Sequence, residues 1–189
     1  MAGYIATAEC VEVRTTLTDE ERLTYTTAEA RERYRLAACS AGKLEVVDKL
    51  LATHKGQQTL IIGAYVEHLE ELASRIDAPS VDGKTTTEKR EEAFQAFRDG
   101  DISTLVVSKV ANFSIDLPEA AVAIQVSGTF GSRQEEAQRL GRLLRPKEEE
   151  ALFYSLVTRD SLDADYAVHR QRFLAEQAYA YWLVDSADL

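Results

Sequence analysis

The arrangement of apolar residues most constrains how this 189-residue chain folds. From residue 59 onward, short continuous apolar runs alternate with segments of helical periodicity. The runs are residues 59–64, 79–81, 104–107, 121–126 and 151–157, and the helical segments are 66–75, 86–98, 132–144 and 161–183. Continuous apolar strands with helical crossovers form a parallel sheet covered on both faces. With right-handed crossovers, the pattern predicts a doubly wound α/β domain.

The first 57 residues follow a different pattern. Alternating apolar residues within 6–17 predict a half-buried strand. Thr18 and Glu21 form a capping-box pattern at the start of a charged amphipathic helix that we expect to run to about residue 41, with Leu23 and Tyr34 facing inward. Gly42 then separates this helix from a second one at residues 43–54. A boundary is plausible near residues 53–58, which divides the chain into 1–57 and 58–189.

Charge and cysteine usage limit the function classes. The net charge is −10 and the pI about 4.9, so the surface as a whole repels nucleic acid, and any polyanion site must be a local basic patch. Two cysteines without metal-ligand spacing, Cys10 and Cys39, predict reduced thiols and no metal site. Because no apolar run approaches 18 residues, we expect a soluble, cytoplasmic protein with no membrane partner. The densest basic patch comprises Arg133, Arg139, Arg142, Arg145 and Lys147.

One short motif, at residues 138–146, places polar groups on a single helix face. Gln138, Arg142 and Arg145 are spaced i, i+4 and i+7, and Gly141 permits a close backbone approach. Neighbouring guanidiniums suit phosphate oxygens, so one interpretation is an arginine-finger helix acting on a nucleotide's terminal phosphate. The other is an amphipathic helix whose leucines face the core and whose arginines face water.

Residues 78–85, APSVDGKT, satisfy a loose phosphate-loop pattern that includes Lys84 and Thr85. A working phosphate loop needs a buried strand immediately before it, but the residues before Ala78 end a predicted helix. The sequence favours a turn followed by a helix cap, with Thr85 and Glu88 as a capping box. The Thr86 hydroxyl and the free amides at this helix start remain candidates for contact with a nucleic-acid phosphate.

The order of these motifs resembles the second motor domain of superfamily-two helicases, and in particular the XPB branch. Residues 108–120, SKVANFSIDLPEA, and residues 131–142, GSRQEEAQRLGR, carry the resemblance, which covers about residues 58–158. It implies a RecA-like fold, with helices on both faces of the parallel sheet. It also implies an ATP-dependent DNA helicase or translocase.

The resemblance implies roles on the nucleotide side. Arg142 and Arg145 match the positions of arginine fingers, and Gln138 matches the polar residue that senses the terminal phosphate. Asp116 is similar to the acid that reaches the ribose, although a turn residue before Leu117 and Pro118 is the alternative. Gly141 and Arg139 are assigned to the same site, with Arg139 coupling the helix to neighbouring loops.

The resemblance also implies contacts with the DNA backbone. Ser108 and Lys109 end a predicted strand, where a hydroxyl, an ammonium and loop amides meet phosphates, while a surface salt bridge is the alternative for the lysine. Tyr65 and Thr86 belong to neighbouring loops of the same edge. Phe113 departs from the threonine of many relatives, which puts a hydroxyl contact there in doubt.

The family's phosphate loop and acidic box are not found in this sequence. The resemblance therefore implies that ATP with Mg²⁺ is held mainly by a first RecA-like domain of the same protein, with DNA as the other partner. We expect this chain alone to be inactive. Repair, nuclease or transcription partners are not specified by the sequence. The alternatives are the motor half of a remodelling or restriction translocase, a RecA-like interaction module, and a stand-alone nucleotide-binding protein using Lys84 and Thr85.

Overall fold

A seven-stranded parallel sheet organises the computed structural model, which describes residues 9–108, 120–128, 151–176 and 179–189. The strand order is β3-β4-β2-β5-β6-β1-β7. The strands are β1 (Glu9–Thr15), β2 (Thr59–Gly63), β3 (Ser80–Val81), β4 (Thr104–Ser108), β5 (Val122–Gln125), β6 (Leu152–Thr158) and β7 (Ala180–Asp185). The helices are α1 (Asp19–Thr27), α2 (Ala30–Ala38), α3 (Ala41–Thr53), α4 (Val66–Ile76), α5 (Thr87–Asp99) and α6 (Leu162–Glu176), and a 3-10 turn spans Ser186–Asp188.

The predicted apolar runs form β2 to β6, which confirms the doubly wound parallel sheet. β2 is buried along its whole length because successive side chains enter opposite cores. Ile61 packs with the apolar faces of α3 and α4, whereas Leu60 and Ile62 pack with Phe94 and Phe97 of α5. Helices therefore cover both faces of the sheet.

The amino-terminal strand belongs to the same sheet as the later strands. β1 lies between β6 and β7 and pairs in parallel with both, with Val13 opposite Leu156 on one side and Val184 on the other. Val13 is fully buried. The sheet thus joins residues from both sides of the expected boundary near residue 57, and the division itself stays a prediction.

The carboxyl-terminal end differs from the prediction. The helix expected over residues 161–183 ends at Glu176, and residues 180–185 form β7. The aromatic and aliphatic residues Tyr181, Trp182, Leu183 and Val184 favour strands, and the open edge of β1 supplies backbone partners. Pairing with β1 explains why this apolar segment does not continue the helix.

The helix expected from residue 18 to about residue 41 is also wrong in its extent. It is interrupted by extended backbone at Ala28 and Glu29, and Gly42 lies inside α3 instead of between two helices. Leu23, predicted to face inward, is 71% exposed, whereas Tyr34 is buried as predicted. α1 buries none of its residues, which explains why its apolar pattern was misleading.

Candidate functional site

The carboxyl ends of all strands of the parallel sheet lie along one edge, which we call the carboxyl edge. The candidate site lies along this edge. β3, β4 and β2 are adjacent, so their following residues come to the same part of this edge. Thr86 follows β3, Ser108 ends β4, and Tyr65 follows β2. Three of the four predicted DNA-contacting residues are therefore brought to one half of the carboxyl edge, while the fourth, Lys109, lies outside the described residues.

The central part of the edge is closely packed around Gly63. A Cβ there would lie 2.8 Å from Leu69 and 2.9 Å from Val126, closer than carbon atoms tolerate without a shift. The Ala64 amide donates to the Ser127 hydroxyl at 2.7 Å, which ties the end of β2 to the residues after β5. Ser108 is paired in register with Gly63. Its hydroxyl is buried and finds no hydrogen-bond partner within the described ranges.

Tyr65 and Thr86 each stand at the start of a helix. Tyr65 is half-buried, its ring centroid lies 6.3 Å from that of Tyr34, and burial raises the pKa of its phenol. Thr86 is exposed and caps α5, accepting a 3.4 Å hydrogen bond from the amide of Lys89. The cap is thus one residue later than the capping box predicted at Thr85. Thr86 remains accessible to a ligand at the amino-terminal end of α5.

The loop that resembles a phosphate loop is a closed turn around Asp82. Its carboxylate accepts from the Lys84 amide, the Thr85 amide and the Thr85 hydroxyl, each at 2.9 Å. Partial burial disfavours the charged carboxylate, but these hydrogen bonds outweigh it and lower the pKa of Asp82. A carboxylate therefore occupies the donors that a phosphate would need. This geometry does not favour nucleotide binding by Lys84 and Thr85.

A buried charge pair supports the residues that follow β5. Lys43 and Asp163 are both fully buried, with Nζ 2.6 Å from Oδ2 of Asp163 and 2.8 Å from the carbonyl oxygen of Val126. The same carboxylate oxygen accepts from the Thr158 amide at the end of β6. Burial lowers the pKa of Lys43, and the adjacent carboxylate opposes this shift. The pair therefore joins α3 and α6 to the ends of β5 and β6.

Two further side chains hold Gly128, the last residue described before the predicted arginine helix. The Tyr34 hydroxyl donates to the Gly128 carbonyl at 2.8 Å. The Arg170 guanidinium packs so closely on Gly128 that a Cβ at this position would overlap it. The Tyr34 ring meets the Tyr166 ring edge-on, with centroids 5.0 Å apart. Side chains from α2 and α6 thus converge on the exit from β5.

Sequence reasoning missed this cluster, although one signal was available. Lys43 is spaced i, i+4 and i+7 with the apolar residues Val47 and Leu50, which places a charge on the apolar face of α3. A lysine on such a face needs a buried partner. Its partner, Asp163, is 120 residues away in sequence, and only the fold reveals the pairing.

The predicted nucleotide-contacting residues lie outside the described residues: Gln138, Arg139, Gly141, Arg142, Arg145 and Asp116. Within the described ranges, no cluster of three or more histidine, cysteine or acidic residues is arranged to hold a metal ion. Cys10 and Cys39 are free thiols, as predicted, and burial raises their pKa values to about 12 and about 11. In the part of the chain that the structure describes, no helix is long and apolar enough to cross a membrane.

The fold matches that of known helicase domains. The C-terminal domain of the DEAD-box protein Dbp5 superposes with a TM-score of 0.73 at 14% sequence identity, covering 98% of this chain and 94% of that domain. The molecule is therefore a RecA-like domain of the kind found at the carboxyl-terminal end of helicases.

The sequence comparison defines the family more narrowly. The ERCC3/RAD25/XPB C-terminal helicase model matches residues 1–188, and the chain belongs to this family. Two proteins named DNA 3'-5' helicase XPB, from Kineococcus radiotolerans and Mycobacterium tuberculosis, are each 64% identical over 99% of the chain. The chain spans 34% of the length of each of these relatives.

Proposed function

We propose that this chain is the carboxyl-terminal motor domain of a DNA-dependent ATPase and completes a nucleotide site carried by a first motor domain. The position of the end of β5, from which residues 129–150 continue, supports the proposal. β5 ends beside the point where the strand order reverses between β2 and β5, and open parallel sheets bind ligands at such points. Residues 129–150 contain the Q-x-x-G-R-x-x-R motif of residues 138–145.

Each residue of the motif, together with Asp116, has a proposed role. Arg142 and Arg145 donate to the terminal phosphate of ATP, where planar guanidiniums bind oxygens bidentately and offset developing charge. Gln138 senses the same phosphate from one turn earlier, and Asp116 accepts from the ribose. Arg139 couples the helix to neighbouring loops, while Gly141 allows its close approach.

The first motor domain holds most of the ATP and its Mg²⁺. One feature of the described residues supports this division: the Lys84 and Thr85 amides are engaged by Asp82. Hydrolysis of ATP supplies the free energy for opening and closing the two domains. This chain alone is then expected to have little or no turnover.

DNA lies along the ends of β3, β4 and β2. Thr86 and Tyr65 lie there in neighbouring loops, and Lys109 directly follows Ser108, the last residue of β4, whose own hydroxyl is buried. Hydroxyl, ammonium and backbone amide groups position phosphates without reading sequence. We extend to this chain the 3' to 5' direction given in the names of its two bacterial relatives.

Replacing the matching third of the Kineococcus relative with this chain gives a hybrid in which the proposal is testable. DNA-stimulated ATP hydrolysis by the hybrid should fall by about 10³-fold or more in Arg142→Ala or Arg145→Ala, the range found for arginine fingers. Arg98→Ala is the matched control, because Arg98 lies in the last turn of α5, away from the carboxyl edge. Its turnover should match that of the unsubstituted hybrid.

The opposite pattern would reject the proposal. Turnover that survives both arginine substitutions, in variants with an unchanged circular dichroism spectrum, contradicts a role as arginine fingers. ATP binding by the isolated chain that is lost in Lys84→Ala would instead favour a stand-alone nucleotide site.

A further inference from the structure

The residues that leave β5 are held by side chains from three helices, and this support reaches the start of the segment that carries the arginines. Val126 and Gly128 each present a carbonyl oxygen to a buried side chain: Lys43 of α3 for the first and Tyr34 of α2 for the second. Both contacts are 2.8 Å long. Two carbonyls within three residues are thus fixed from outside the sheet.

The charge pair is a costly way to fill this space. Lys43 and Asp163 have no exposed surface, and burying both charges costs much of what their attraction gains. Apolar residues of similar volume often serve stability equally well. Unlike an apolar group, the Lys43 ammonium donates hydrogen bonds to two defined acceptors, the Val126 carbonyl and the Asp163 carboxylate.

The Tyr34 contact adds a second constraint immediately before the segment. Tyr34 is 3% exposed, and its ring is packed against Tyr166, so the direction of its hydroxyl is set by packing. Arg170 also packs against Gly128, where a side chain would overlap the guanidinium. Residues 129–150 therefore depart from an anchored point.

We propose that Tyr34 and the buried Lys43–Asp163 pair are positioning residues that fix the exit from β5 and thereby orient Arg142 and Arg145 for ATP hydrolysis. The inference rests on the function proposed above. Misplacement of a catalytic group by about 1 Å can cost about 10²-fold in rate. Loss of either anchor is therefore expected to lower kcat while leaving the binding of ATP and DNA intact.

Tyr34→Phe in the hybrid helicase is the primary test, since it removes one hydroxyl and keeps the packed ring. We expect kcat for DNA-stimulated ATP hydrolysis to fall by about tenfold or more, with KM for ATP and the circular dichroism spectrum unchanged. Tyr25→Phe is the matched control. The Tyr25 hydroxyl also forms a hydrogen bond with the backbone, since it accepts from the Leu162 amide at 3.0 Å. It does not contact the described residues that leave β5.

The double variant Lys43→Met/Asp163→Asn tests the pair without leaving one charge buried alone. The carboxamide that replaces the Asp163 carboxylate keeps an oxygen for the Thr158 amide, while the ammonium on the Val126 carbonyl is lost. The same fall in kcat at constant KM is expected. If this variant does not fold, Tyr34→Phe decides the outcome.

A double-mutant cycle separates positioning from a merely structural role. Once Arg142 and Arg145 are both replaced by alanine, Tyr34→Phe should cause little further loss, because it acts through the removed groups. Independent losses that multiply would overturn the inference, as would unchanged kcat in Tyr34→Phe. If Arg142→Ala and Arg145→Ala both leave turnover intact, the proposed function fails, and this inference fails with it. If Arg142→Ala abolishes turnover while Tyr34→Phe does not change it, only the positioning role fails.

Discussion

His68 is a buried titratable residue that lies close to the site without an assigned role. It lies in the first turn of α4 and is 5% exposed, and neither ring nitrogen has a hydrogen-bond partner within the described residues. Burial, assisted by the nearby Lys43 charge, lowers its pKa from 6.5 to about 4. A neutral imidazole without partners contributes less to stability than an apolar side chain of similar size.

This residue predicts a stability change with pH. The unfolded chain binds a proton at His68 below pH 6.5, whereas the folded chain resists protonation until about pH 4. Stability should therefore fall as the pH drops from 6.5 to 4, by up to about 3 kcal/mol from this group. His68→Leu should remove that part of the pH dependence in urea unfolding measurements. The same replacement at His169, which is exposed, should leave it unchanged, and equal effects at both positions would contradict the assignment.

Individual residue roles were predictable where they depend on local spacing. The Thr18–Glu21 capping box forms as predicted because its contacts span three residues. The role of Lys43 depends on Asp163 and Val126, which only the fold brings together. The roles of Arg142 and Arg145 stay predictions based on a motif, since these residues lie outside the described ranges.

A secondary structure element was predictable where its own sequence pattern determines its state. β2, β4 and β6 are long, continuous apolar runs, and the predicted bounds differ from the observed ones by one residue at most. β7 is the exception, because an apolar, aromatic segment after a helix is compatible with either state. Its pairing with β1, which is more than 160 residues earlier, decides the outcome.

α1 depends on local interactions, because none of its residues is buried. Its capping box supplies two hydrogen bonds, and Glu21 also accepts from the Ala41 amide at the start of α3, at 2.8 Å. Thr18→Ala should destabilise the helix by about 1 kcal/mol, roughly a fivefold loss of protection. Hydrogen exchange of the α1 amides measures this loss.

Thr16→Ala is the matched control for that measurement. Thr16 is exposed, two residues before the cap, and lies outside the capping box. In the Thr16→Ala variant, the α1 amides should exchange at the same rate as in the unsubstituted chain. Equal loss of protection in both variants would indicate that the cap does not hold the helix.

At the scale of the whole molecule, the net charge opposes the proposed DNA binding, whereas the fold brings favourable groups together. A net charge of −10 repels DNA, so the DNA binding proposed above requires a few favourable groups placed at one edge of the sheet. The parallel topology provides that edge, because all seven strands end on it. The sequence predicted the edge correctly, since parallel order follows from the alternation of buried strands and helices.

Lys109 gives a quantitative test of this electrostatic arrangement. If its ammonium neutralises one phosphate, Lys109→Ala in the hybrid helicase should reduce the slope of log affinity against log salt concentration by about 0.7 for single-stranded DNA. Lys55→Ala is the matched control, because Lys55 lies between α3 and β2 at the opposite edge and is exposed. Fluorescence anisotropy across a salt series measures both slopes. An unchanged slope in Lys109→Ala would mean that Lys109 neutralises no phosphate and would contradict this DNA path. An equal reduction in both variants would mean that net charge, and not placement at the carboxyl edge, governs binding.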